Sequence, residues 1–252
     1  MTRRDFLFTA ASWLFLGTRI RTAPAFEALS IPVLMYHDIS NHYKDGYTVS
    51  PSLFYSHMEY LYQNSYISVF PEELNRFDKS RKLFMLTFDD GYLSFMDYAF
   101  PVLRDYGFKA IINVIGAYVG SYYNFNGKRP TLSWDDYRFL ISSGLVRVGY
   151  HGYDIHVTNW VNRFTPEQLR LDSMKFLDKL NKELGTSTDI FAAPYGQYSE
   201  RHLDVLRKLG FKYFFTSEER LFGMTDMAIP RLNINNSIDL VSFSQYIGGD
   251  RS

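Results

Sequence analysis

From residue 31 onward the chain alternates short apolar runs with segments of helical periodicity, and that alternation leaves few architectures open. The apolar runs are 31–36, 67–70, 83–88, 110–115, 146–150, 190–193, 212–216 and 228–234. Between them, 51–64, 94–106, 133–141, 166–184 and 200–209 read as helices. The best bounded is 166–184, where Thr165 sits at the cap, Pro166 opens the first turn, Gln168 completes a capping box and Gly185 ends it. The stretch 94–106 is expected to be interrupted at Pro101 and to stop at Gly107. Strands that alternate with helices build a parallel sheet covered by helices. About seven βα units fit the length, too few for an eightfold barrel. The expected fold is therefore α/β, a distorted or incomplete (β/α)7 barrel, with an open doubly wound sheet as the alternative. A chain of 252 residues, 46% hydrophobic and without repeat or linker, calls for one domain with one core, placed at 26–252.

Residues 1–25 stand apart. Thr2-Arg3-Arg4-Asp5-Phe6-Leu7 is a twin-arginine pattern. The apolar stretch behind it, 6–17, falls short of the ~20 residues that span a bilayer. Ala23-Pro24-Ala25 supplies the small residues of a cleavage site. We read 1–25 as a twin-arginine export signal, with the periplasm or cell envelope as destination and membrane contact only through a signal left uncleaved. The plainer alternative is an Arg-Arg pair that happens to precede a core helix. Without 1–25 the chain carries 23 basic and 26 acidic side chains, so no basic excess marks it for nucleic acid. Zero cysteines exclude a disulfide, a thiolate ligand and a cysteine nucleophile.

The chemistry gathers at strand ends. Run 83–88 exits into Asp89-Asp90-Gly91. Two carboxylates at the end of a buried strand must be paired, hydrogen-bonded or bound to metal. Alternation along the strand, and a turn at Gly91, could aim one acid at a cation and leave the other as a base. His151 and His156 follow run 146–150. One Asp and two His make a divalent-cation site with open positions, suited to Zn first and also to Fe, Co or Ni. Pro194-Tyr195-Gly196 follows run 190–193. Each motif alone has a plain reading, since Asp-Asp-Gly and Pro-Tyr-Gly suit turns and a lone His is often a core residue. Their joint placement after strands, on the face where α/β barrels carry active sites, points to chemistry. Of the 20 Tyr and 22 Phe, most are expected in the core. Tyr92, Tyr153, Trp160 and Tyr198 flank the motifs, where a ring could stack on a sugar. His37, after the first strand, either lines the pocket or bonds internally. Trp134 is expected to pack from its helix, and His42, His57 and His202 read as surface or structural.

These segments resemble the polysaccharide deacetylases with NodB homology, over nearly all of 26–252. Thr87-Phe88-Asp89-Asp90-Gly91-Tyr92 is similar to the family's first motif residue for residue. The resemblance implies Asp89 as catalytic base and Asp90 as metal ligand. It implies His151 and His156 as the two further ligands, and the main-chain N–H of Tyr195 as a donor to the reaction oxyanion. Val33-Leu34-Met35-Tyr36-His37 and Pro230-Arg231 are further landmarks. The family fold is a distorted (β/α)7 barrel. The implied activity is metal-dependent removal of N-acetyl groups from an envelope or extracellular polysaccharide, with Tyr92, Tyr153, Pro194, Tyr198 and His37 expected to bind substrate. The His spacing of five, where most members have four, looks like the subgroup that acts on poly-β-1,6-N-acetylglucosamine in biofilm matrices. The exopolysaccharide export machinery would then be a partner. Two departures matter. Ala192-Ala193 stands where an Arg usually orients the base, with Arg231 as the candidate substitute. Leu232-Asn233-Ile234-Asn235 stands where a Leu-x-His usually brings the general acid, which leaves the acid unassigned. They keep open a sugar-binding protein that has lost turnover, and a third reading is a deacetylase of peptidoglycan, chitin oligomers or O-acetyl groups.

Overall fold

The structure, a computed structural model, describes residues 30–78, 80–224 and 226–248, so the expected export signal at 1–25 lies outside the described residues. Of the eight strands in the central sheet, Ile67–Ser68 pairs in parallel beside Leu83–Phe84 off the main path, and seven lie along it: β1 Val33–Tyr36, β2 Leu83–Asp89, β3 Ala110–Val114, β4 Val146–Tyr150, β5 Ile190–Ala192, β6 Tyr213–Phe215 and β7 Leu232–Asn233. Their order is β6-β5-β4-β3-β2-β1-β7, and every pairing is parallel. A parallel bridge between Phe215 of β6 and Ile229, just before β7, joins the two ends of this order. The sheet therefore curls into a distorted (β/α)7 barrel rather than an open doubly wound sheet. The run expected at 228–234 is reduced to the Ile229 bridge and β7, because Pro230 between them has no N–H to give a ladder.

Among the described residues, six α-helices of seven residues or more follow in chain order: α1 Pro51–Gln63, α2 Phe100–Tyr106, α3 Trp134–Ser142, α4 Pro166–Leu184, α5 Glu200–Lys208 and α6 Leu240–Tyr246, with a single further helical turn at Trp160–Arg163. The capping box of α4 forms as its sequence requires, with Thr165 and Gln168 bonded reciprocally. Pro101 does not interrupt its helix. The winding instead changes register beside it: Phe95–Ala99 form a π-type turn, in which Phe100 N–H reaches back to Phe95, and Pro101 lies in the first turn of α2.

Strand β2 shows how the barrel aims its chemistry. All seven of its residues are buried. Phe84, Leu86 and Phe88 pack into the helix-facing core, while Leu83 and Met85 join the smaller cluster with Val33, Ile111 and Ile190. Side chains alternate along a strand, so Thr87 and Asp89 share the interior face with Met85. Two additions at the same end of the barrel were not anticipated from sequence. An antiparallel hairpin, Tyr122–Asn124 with Lys128–Pro130, folds back on the turn after Asp90 through a Tyr92–Thr131 bridge. A short pair, Asp38–Ile39 with Thr48–Val49, follows β1. The buried guanidinium of Arg129 ties them together, bonding Asp38 and Thr48 at 3.1 Å each and pairing with Asp45. No helix among the described residues is long and apolar enough to cross a membrane.

Candidate active site

The two acids at the end of β2 part company at once. Asp89 is the last strand residue and points into the barrel, where Arg231 grips it with two bonds, 2.7 Å to Oδ1 and 2.8 Å to Oδ2. Asn113 of β3 adds a bond from Nδ2 to Oδ1 at 2.7 Å. Arg231 is fully buried and is itself held by the Thr216 carbonyl at 2.8 Å and Thr87 Oγ1 at 3.2 Å. Burial would raise the Asp89 pKa, but the Arg231 charge and bonds, with the nearby His151, hold it well below the usual carboxylate range. Asp89 is thus an oriented, ionised carboxylate. The approach of Asn113 depends on Gly149 of β4, where an added Cβ would lie 2.1 Å from Asn113 Oδ1.

Asp90 has left-handed backbone, φ 71°, a conformation that Asp tolerates better than most residues. Gly91 continues it at φ 73°, and a Cβ there would come 2.3 Å from the Tyr137 hydroxyl. This turn swings the Asp90 side chain away from Arg231 and toward the histidines. Burial, then the charge of Asp89, pushes the Asp90 carboxyl up to about 7, while the Tyr92 hydroxyl bonded to it pulls the other way. A buried carboxylate needs a cation, hydrogen-bond donors or a proton to balance it.

His151 follows β4, and its Nδ1 lies 2.8 Å from the Ala192 carbonyl, which only an Nδ1–H can satisfy. The lone pair of Nε2 is then free, 3.7 Å from Asp90 Oδ1. His156 is placed alike, with Nδ1 3.1 Å from the Tyr123 hydroxyl, which can accept from an Nδ1–H, and Nε2 3.6 Å from Asp90 Oδ1. Burial lowers the basicity of both rings and so keeps them neutral, the form that binds metal. One ligand atom from each of Asp90, His151 and His156 lies within 4.8 Å of the others. A carboxylate and two neutral imidazoles with free Nε2 atoms fit a divalent cation by donor chemistry.

The cluster opens into a cavity of about 250 Å³. Asp89, Asp90, His151, His156, Tyr195 and His37 line it, together with Tyr47, Tyr123 and Phe125. His37 has a buried Nδ1 without a hydrogen-bond partner, and its ring meets Tyr47 edge-on at 4.8 Å. Burial draws its pKa down to about 4; Asp89 pulls it up and Arg231 down. Tyr195 has left-handed backbone, φ 56°, and lays its half-exposed ring near His156 at 5.0 Å.

Several rings and turns expected to bind substrate are not among the residues that line this cavity. Tyr92 is buried beneath Asp90 in a small cluster with Ile115 and Tyr123. Tyr153 packs its ring under Lys175, 4.1 Å from Nζ. Tyr198 turns its hydroxyl to Glu218. Pro194 is buried, and its carbonyl accepts the indole N–H of Trp160 at 3.0 Å, so Trp160 clamps the Pro194-Tyr195-Gly196 turn from within the core. Trp134 packs from α3 against Tyr137. Sequence reasoning missed Tyr123 and Phe125, which enter on the hairpin. The signal was present in Asn126-Gly127, a dipeptide suited to hairpin turns, directly after the aromatic Tyr122, Tyr123 and Phe125.

A family model described as polysaccharide deacetylase matches residues 77–214. The Bacillus subtilis protein YxkH, named for the same family, is 31% identical over 233 residues, covering 86% of this chain and 76% of that one. The poly-β-1,6-N-acetyl-D-glucosamine N-deacetylase of Escherichia coli K12 is 29% identical over 199 residues, 66% of this chain. The match spans only 30% of that longer protein. Among solved structures, IcaB from Ammonifex degensii superposes with a TM-score of 0.73 at 26% identity, over 88% of this chain and 97% of IcaB.

Proposed function

This chain belongs to the polysaccharide deacetylase family, and on that premise we propose that it hydrolyses N-acetyl groups from β-linked N-acetylglucosamine polymer in the cell envelope, using a divalent cation. The observation that carries the reading is the convergence of Asp90, His151 and His156 beside an Asp89 held ionised by Arg231. When bound by Asp90, His151 and His156, a divalent cation, Zn first among candidates, would supply Lewis-acid polarisation of water and of the acetamide carbonyl. Asp89 takes the proton from the attacking water, and its Arg231 and Asn113 bonds fix the direction in which it does so. The Tyr195 main-chain N–H donates to the oxyanion that develops on the carbonyl oxygen. His37 is the imidazole in the cavity outside the cation cluster and with an uncommitted ring nitrogen. We assign it proton delivery to the departing amine. Neutral at rest, it receives the proton that Asp89 took from water, and the imidazolium, beside the again ionised Asp89, gives that proton to the nitrogen as the C–N bond breaks. The products are acetate and a free amine.

Arg231 also bears on the reading of a sugar-binding protein without turnover. That reading drew on the missing Arg before Pro194, and Arg231 supplies the missing cation from the β7 side. Passage through the twin-arginine route by residues 1–25 belongs to the same proposal. The test is acetate release from poly-β-1,6-N-acetylglucosamine, with peptidoglycan and chitin oligomers in parallel. We expect release from the first, abolished by a chelator and restored by Zn, Fe, Co or Ni. Chelator-insensitive release would remove the cation from the mechanism. Glycan retention without any acetate would favour the binding protein.

A further inference from the structure

Two histidines five residues apart converge only if the four residues between them turn back, and the structure assigns that task to Asp172. This side chain rises from the middle of α4, whose Leu169, Phe176 and Leu180 are buried in the core. Asp172 is itself buried. Its carboxylate accepts three hydrogen bonds, all from residues around His151: the Tyr150 hydroxyl at 2.5 Å and the Tyr153 N–H at 2.7 Å on Oδ2, and the Asp154 N–H at 2.8 Å on Oδ1. Among the described residues it makes no ion pair. Two of these donors are consecutive main-chain N–H groups, an arrangement that suits a carboxylate.

On its other side the loop is held by its own carbonyls and by β3. The His151 N–H bonds the Val114 carbonyl at 3.0 Å, and the Gly152 carbonyl accepts from Gly116 at 2.9 Å. Residues 152–154 are thus pinned from both sides, and His156 is delivered with its ring centroid 4.7 Å from that of His151. We propose that Asp172 is a positioning residue for the cation site: it sets the loop geometry that brings the two Nε2 atoms together. An amide would not serve. Asparagine offers one acceptor oxygen, so its NH₂ would face a donor N–H at Tyr153 or Asp154. The inference rests on the reading of Asp90, His151 and His156 as cation ligands.

The experiment measures Zn²⁺ and Co²⁺ affinity by titration calorimetry on the full chain, stripped of metal, alongside thermal melting. Asp172→Asn is expected to weaken both ions by about 10- to 100-fold, the usual cost of losing a partner outside the ligand set. At saturating metal its acetate release should return to within severalfold of the wild-type rate. Leu180→Ala on the same helix is the control for general destabilisation; it should lower the melting temperature with metal affinity unchanged. Should Asp172→Asn not fold, Tyr150→Phe removes one of the three donors and is expected to weaken binding about three- to tenfold. Wild-type affinity in the folded Asp172→Asn chain, or in Tyr150→Phe where that is the testable variant, overturns the inference. So does an equal loss in Leu180→Ala. A wild-type chain that binds neither ion removes the premise as well, and that outcome is distinct because it does not depend on Asp172.

Discussion

His57 in the helical layer and His151 at the barrel mouth are both buried, yet the molecule completes one and leaves the other open. His57 on α1 has Nδ1 3.0 Å from the Tyr36 hydroxyl and Nε2 2.9 Å from the Ile238 carbonyl, and its ring stacks on Phe243 at 4.1 Å. His202 on α5 is likewise complete, between Ser199 Oγ and the Phe164 carbonyl. At the mouth, His151 and His156 each commit Nδ1 to the protein and turn Nε2 to Asp90, while His37 leaves Nδ1 unbonded. Burial does not separate the two groups. What separates them is an unfinished set of hydrogen bonds facing a cavity, which buried polar groups otherwise avoid. The acids divide the same way: Asp172 has its donors, and Asp90 turns Oδ1 to the Nε2 atoms of His151 and His156.

The comparison breaks most easily at Asp89. Asp89→Asn keeps the volume but removes the proton acceptor, and acetate release should fall by roughly 10³-fold or more. A variant within tenfold of wild type would take Asp89 out of the chemistry. A smaller loss is expected at His37. Because its Nδ1 has no partner to lose, His37→Gln should lower the rate by about 10²-fold while stability stays within about 1 kcal/mol. If instead the protein melts early and the surviving fold keeps its rate, His37 belongs with His57 as a structural residue.

Why some of this was readable from sequence follows from distance along the chain. The bounds of α4 match expectation at both ends because Thr165, Pro166, Gln168 and Gly185 are local signals that need no tertiary partner. The Asp-Asp-Gly turn is legible for the same reason, since strand, acids and glycine are contiguous. Arg231 could be proposed only through a missing family residue, because it meets Asp89 across 142 positions. The hairpin was overlooked because each of its strands has three residues and its anchor, Arg129, finds Asp38 and Thr48 at 91 and 81 residues' remove. Tyr92, Tyr153 and Tyr198 flank the motifs in sequence, but proximity along the chain does not set which way a ring faces. Tyr92 turned inward and Tyr123, from the hairpin, took the place beside His156.

The smallest effect tests the other half of the comparison, that a completed histidine works for the fold alone. His57→Phe preserves ring packing on Phe243 but leaves the Tyr36 hydroxyl without its partner, a cost of about 1–3 kcal/mol at pH 7. Acetate release, measured well below melting, should not change. The pH dependence gives the sharper result. Burial holds the His57 pKa down at about 4, against the upward pull of the Ile238 carbonyl, and an unfolded histidine titrates near its ordinary value of 6.5. Between those values the unfolded chain takes up a proton that the folded chain refuses. Stability is therefore full above about pH 6.5 and declines as pH falls toward 4, beyond which both states are protonated and the loss levels off. The phenylalanine variant lacks this term. Its deficit relative to wild type, read from urea unfolding, should shrink by on the order of 2 kcal/mol between pH 7 and pH 5. A deficit that stays constant over that range would mean that the folded protein does protonate His57. The distinction between finished and unfinished histidines would then fail at its best-packed example.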